Sequence, residues 1–156
     1  MTGLASHLLP FIAAASLGLL AGALLAEDRL LLPYWRTLSA ETFYELHPTY
    51  GPLLYRFFAP LTMAAPPAAV LAAVQVTLQS GGLAPRSLAA IAAAVLAGSL
   101  VVIYLVYFKA ANDAFARHAV PAADLPAALA RWAAWHRLRV LVCVAAFGLT
   151  LVALVA

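Results

Sequence analysis

The chain has 156 residues, 66% of them hydrophobic and 10% charged, with a mean hydropathy of +0.98, a net charge of +3 and a pI near 9.4. Soluble domains carry about 25% charged residues, so this composition excludes an ordinary soluble globule and points to one integral membrane domain. The basic residues form no phosphate-tracking runs, which argues against nucleic acid as a partner, and a lone cysteine, Cys143, leaves no intrachain disulfide and no CxxC redox or zinc motif.

Residues 4–26 carry no formal charge. At about 1.5 Å per residue they are long enough to cross a hydrocarbon core of roughly 30 Å. No Lys or Arg precedes this run, and it exceeds the usual signal-peptide core of about 7–15 residues, so it reads as a retained span. Ala14, Gly18, Gly22 and Ala26 recur every fourth residue. Such a small-residue stripe lets a neighbouring helix, or a second copy of the chain, approach closely.

Residues 27–50 are polar and aromatic. Pro33 interrupts a straight helix, Tyr34, Trp35, Tyr44 and Tyr50 suit a membrane-interface belt, and Ser39 suits an N-cap. The segment reads as one or two interfacial helices. The second span covers about residues 52–78, with Pro60, Pro66 and Pro67 predicting a kink. A Ser-Gly-Gly-Pro turn over residues 79–86 follows. The third span covers about 87–110, and the i,i+4 spacings Lys109–Asp113 and Asp113–Arg117 predict a helix that continues beyond it. Asp124 suits the cap of a last helix whose span covers about 131–155. The expected fold is therefore an all-α, four-span membrane bundle with an interfacial helical segment between spans 1 and 2.

Charge placement orients the bundle. With short loops, Arg29, Arg36, Arg56, Lys109, Arg117, Arg131, Arg137 and Arg139 share one membrane face and only Arg86 lies on the other. The positive-inside rule makes the charged face cytoplasmic, with both termini outside. The bias toward alanine and leucine, with a single lysine, is that of a bacterial protein, hence an inner-membrane location.

The chemistry gathers at that charged end. Trp132, His136, Arg139 and Cys143 fall at i, i+4, i+7 and i+11 and so share a helix face. Glu27, His47, Arg56 and Asn112 come to the same end from the other segments. An apolar bundle with a polar mouth suits a hydrophobic small molecule. His136 suits a base near neutral pH, Arg139 an anion-stabilising cation, Trp132 a stacking platform, and Asn112 a holder for His136. Glu27 suits a partner for Arg139 or Arg56. Glu27, His47 and His136 are residue types that bind iron, copper or zinc, but no HxxH, ExxH or HxxxH spacing supports a metal site, and no cofactor is indicated. Cys143, inside a span, suits core packing.

The last two segments resemble the anthrone oxygenase-like family of small four-helix membrane proteins, many of them of unknown function. The resemblance rests on Asn112 after an apolar helix and on the spacing of Trp132, His136 and Arg139. The Gly-rich first helix, the Pro33–Trp35 tripeptide and the Phe43, His47, Arg56, Pro60 run add to it. It implies a monooxygenase, cofactor-independent or metal-assisted, acting on an aromatic or quinone-like molecule, and implicates Asn112, Trp132, His136 and Arg139, with His47 beside them. The alternative from the residues alone is a non-catalytic binding or assembly subunit.

Overall fold

The computed structural model describes the backbone of residues 3–155 and the side chains of residues 7–155. Six α-helices form four rods, and no strand occurs among the described residues. In the first rod, α1 (Gly3–Ala26) passes through a π-helical turn (Glu27–Leu31) into the short α2 (Leu32–Trp35). The second rod is α3 (Ala40–Gln79). The third is α4 (Pro85–Ile103), a second π-helical turn (Tyr104–Phe108) and α5 (Lys109–Ala116). The fourth, α6 (Leu125–Val155), is entered through a 3₁₀ turn (Ala122–Asp124). All four rods are long and apolar enough to cross a membrane, as a small integral membrane protein requires.

The rods stand in a square. The first packs on the second and fourth, and the third packs on the same two, while the diagonal pairs barely meet. Leucines and alanines of all four fill the middle: Leu17, Leu20, Leu24, Ala65, Ala69, Ala97, Leu100 and Ala146 are buried there with Cys143. The small alanines let the rods approach closely, since without a hydrophobic force between helices in lipid, close packing supplies the adhesion. Large apolar side chains such as Leu19, Val95 and Leu141 point outward, where a soluble protein would carry charge.

The polar segment between the first two rods divides. Residues 27–35 extend the first rod, and residues 40–50 are the opening turns of α3 rather than separate interfacial helices. Ser39 does cap this helix, its Oγ accepting the Thr42 N–H at 3.1 Å. The helix then continues through Pro48, Pro52, Pro60, Pro66 and Pro67. Each proline removes one N–H, but in a membrane helix neighbouring groups and local adjustment absorb the loss. The third rod runs past its apolar stretch to Ala116 as the sequence predicts, although neither Lys109–Asp113 nor Asp113–Arg117 closes into an ion pair.

At the opposite end, Gly81 and Gly82 turn the chain at φ +67° and +142°, conformations that favour glycine. At the charged end, the Tyr44 hydroxyl donates to the Val120 carbonyl at 2.8 Å and its ring stacks on His118. This fastens α3 to the loop before α6, so the two polar connections lie side by side. The stripe on α1 is only partly used inside the bundle. Gly18 lies against the Phe147 ring of α6, while Gly22 has open space over its Cα.

Candidate functional site

The predicted face of α6 is turned inward. Trp132, His136, Arg139 and Cys143 are all buried, and His136 is wholly inaccessible. Opposite them runs a stripe of the first rod, Leu17, Leu20, Leu24 and Glu27, spaced by three and four residues so that one helix face carries it inward. The two rods meet antiparallel in register. The Cys143 thiol lies 3.7 Å from the Leu17 carbonyl, and one heptad along each rod the His136 imidazole meets the Leu24 carbonyl.

This second contact decides the chemistry of the histidine. Nε2 stands 3.0 Å from the Leu24 oxygen. A carbonyl can only accept, so Nε2 carries the proton and donates it. Nδ1 is then left buried and without a hydrogen-bond partner. It faces the Glu27 carboxylate at 3.6 Å, beyond a well-formed hydrogen bond. Glu27 is itself 5% exposed.

Arg139 completes the group. Its guanidinium lies over the Phe108 ring, 4.6 Å from the centroid, and its main attractive charge partner is Glu27. One buried anion and one buried cation sum to zero, so the imidazole beside Glu27 is best accommodated neutral; a third charge would be uncompensated in a low-dielectric interior.

The aromatic side chains hold this polar group in place. Trp132 stacks on His136, with centroids 4.9 Å apart and planes within 10°. Phe108 stands edge-on to Trp132 at 5.2 Å, and Trp35 adds a further edge contact at 5.9 Å. Asn112 does not reach His136. Its Oδ1 accepts the Trp132 indole N–H at 3.0 Å. The reason is register: α5 places Asn112 one turn beyond Phe108, level with Trp132, while the Leu24 carbonyl takes the histidine. Asn112 thus fixes the Trp132 ring that stacks against His136 and makes no bond to the histidine itself.

Two predicted site residues lie elsewhere. His47 is half-buried among Phe43, at 5.5 Å, and Phe115, at 6.3 Å. Arg56 points outward and is exposed. The group is therefore built by three rods, and the second touches its aromatic wall through Phe43, which meets Trp35. Phe108 and the Leu24 carbonyl were not apparent from sequence. A backbone acceptor leaves no residue signature, whereas the heptad-like stripe ending at Glu27 does foretell that this carboxylate turns inward.

Both π-helical turns lie at this level. The Leu32 N–H reaches the Glu27 carbonyl, and the Lys109 N–H reaches that of Tyr104. Pro33 follows the first turn; its ring would clash with the carbonyl four residues back in a regular α-helix, and the wider turn relieves this. Such turns recur at functional sites, and here they turn Glu27 and Phe108 toward Arg139 and His136. Among the described residues, no three His, Cys, Asp or Glu side chains converge to hold a metal.

Outside this packed group runs a surface groove of about 660 Å³, lined by Asp28, Arg29, Leu32, Pro33, Arg36 and Arg137. A smaller one of about 160 Å³ shares Arg36 and lies between the start of α3 and the start of α6. Compared with known protein families, curated proteins and solved structures, the chain matches none.

Proposed function

We propose that this is an oxygenase-like integral membrane enzyme acting on a hydrophobic aromatic or quinone-like molecule. The observation that supports it is the buried, unpartnered Nδ1 of His136 facing Glu27, with Arg139 in the same group. Ionisable groups inside a membrane bundle are costly and concentrate where function needs them.

In this reading the His136 lone pair takes a proton from an activated ring C–H, and Glu27 balances the imidazolium that forms. Arg139 stabilises the resulting enolate-like oxyanion. The substrate anion then gives its electrons to dioxygen, so that a methylene plus O₂ becomes a carbonyl plus water. Trp132 serves as both wall and orienting group for the imidazole. The resemblance to anthrone oxygenase-like proteins is part of the proposal and names the substrate class. We read the charged end as cytoplasmic from the distribution of basic residues, and the membrane as a bacterial inner membrane from the alanine- and leucine-rich composition.

A second reading is favoured by the closed packing around His136, which is wholly inaccessible. There the same residues lock three rods of a non-catalytic binding or assembly subunit. One assay separates the two. Purified protein in bicelles is given oxygen and a hydroxylated anthrone, and oxygen uptake and quinone are followed together. The enzyme reading expects turnover that falls about 10²–10⁴-fold in His136→Gln and about 10²–10³-fold in Arg139→Met, in variants that still fold. Turnover no higher than in empty bicelles, or unchanged by either substitution, would leave the locking role.

A further inference from the structure

We propose that the groove between the π-helical turn of the first rod and α6 seats the phosphate headgroup of an acidic membrane lipid. This inference stands whether or not His136 is catalytic, because no residue of the buried group lines the groove. Three arginines do: Arg29, Arg36 and Arg137. Only Arg29 has an acidic partner, Asp28 at 3.5 Å. Arg36 and Arg137 have no carboxylate within ion-pair distance among the described residues. The groove therefore carries a net charge of about +2 with two cations free to bind. Planar guanidinium groups suit bidentate contact with phosphate oxygens.

The rest of the lining favours a lipid over a soluble phosphate. Leu32, which is buried, and Pro33 give the groove an apolar floor. That floor matches the glycerol and first acyl carbons below a headgroup. Arg137 stands three residues before the uncharged stretch of α6 that begins at Val140, so the groove sits where a rod passes from polar to apolar surroundings. Tyr34 and Trp35, beside Arg36, are residues that favour that depth. The chain crosses the groove from both sides, since Arg29 and Arg36 come from the first rod and its end while Arg137 comes from the fourth. A bound headgroup would therefore clamp two rods together.

The test is a titration of the full-length protein in neutral detergent, read by native mass spectrometry. Phosphatidylglycerol and phosphatidylcholine are compared on wild type, on Arg36→Ala/Arg137→Ala, and on Arg117→Ala/Arg131→Ala. The last removes the same charge from exposed arginines of the same end but outside the groove. Each arginine near an anionic headgroup is worth about 5-fold in affinity. Wild type is thus expected to prefer phosphatidylglycerol, and the groove variant to lose about 30-fold of that affinity while the control variant keeps it to within about 3-fold. Unchanged melting temperatures verify that the variants fold, as substitutions of exposed side chains should leave them. Equal binding of the two lipids, or equal loss in both variants, would overturn the proposal. In a second arm, millimolar inorganic phosphate or glycerol 3-phosphate is added. Failure to displace the lipid supports a lipid site, whereas displacement together with heat stabilisation by the soluble phosphate alone would overturn it in favour of a soluble ligand.

Discussion

Glu27→Gln keeps the shape of the side chain and removes its charge. Arg139, 9% exposed, would then be a buried cation left with the face of Phe108, 4.6 Å away. Removing one partner of a buried charge pair costs about 3–5 kcal/mol, because the other is stranded. Glu27 and Arg139 attract without a direct ion-pair contact, so the lower end applies, about 3 kcal/mol. The Phe108 contact cannot offset this, since it is present before and after the change. Arg139→Met strands the carboxylate instead and should cost a similar amount. In the double variant both charges are gone and the space stays filled, so neither single's penalty for a stranded buried charge applies. The double should therefore be more stable than the sum of the singles suggests by about 2 kcal/mol or more. The assay is reversible unfolding in mixed micelles, followed by tryptophan fluorescence. Losses that add to within about 0.5 kcal/mol, as for independent sites, would refute the view that these residues form one electrostatic unit.

Three further outcomes follow from the packing. Asn112→Ala should cost about 0.5–1.5 kcal/mol and shift the NMR signal of the Trp132 indole N–H. It should leave the His136 ring nitrogens nearly unmoved, since the side chain bonds the tryptophan and not the histidine. Gly18→Val should destabilise by about 1–3 kcal/mol, because an added Cβ already meets Phe147 at 3.1 Å. Gly22→Ala, with open space around it, should be neutral or slightly stabilising in the same unfolding assay.

The bundle was legible because its signals are long. Four uncharged runs, a turn at Gly81–Gly82 and an N-cap at Ser39 each rest on many residues or on a strict local geometry. The inward face of α6 was legible for the same reason: the spacing of Trp132, His136, Arg139 and Cys143 repeats over three turns. Less of the site's wiring was legible. Asn112 and His136 looked like partners by chemistry, but which ring Asn112 meets depends on the axial register of two rods. That register is shifted by the π-helical turn at Tyr104–Phe108, which adds a residue without any sequence mark. The Leu24 carbonyl that fixes His136 is backbone and identical in kind at every position. His47 and Arg56 sit on a helix with five prolines and little facial periodicity, so their distance from the group was not apparent. The continuity of α3 through Pro48 and Pro52 was hidden too, because a rule learned in water overstates how often proline ends a helix in a bundle of this kind.

The chemistry of the site turns on the state of His136: a neutral imidazole, protonated at Nε2, with its Nδ1 lone pair facing Glu27. It is tested most directly by ¹⁵N NMR of ring-labelled protein in bilayers at neutral pH. His7 and His47 are replaced by Gln, and His118 by Asn, which tolerates the φ of 52° found there, so that His136 alone reports. The expected spectrum has one protonated ring nitrogen, Nε2, coupled to the Leu24 carbonyl, and one unprotonated nitrogen that moves when Glu27 is changed to Gln. A proton on Nδ1, or one on both nitrogens, would contradict it.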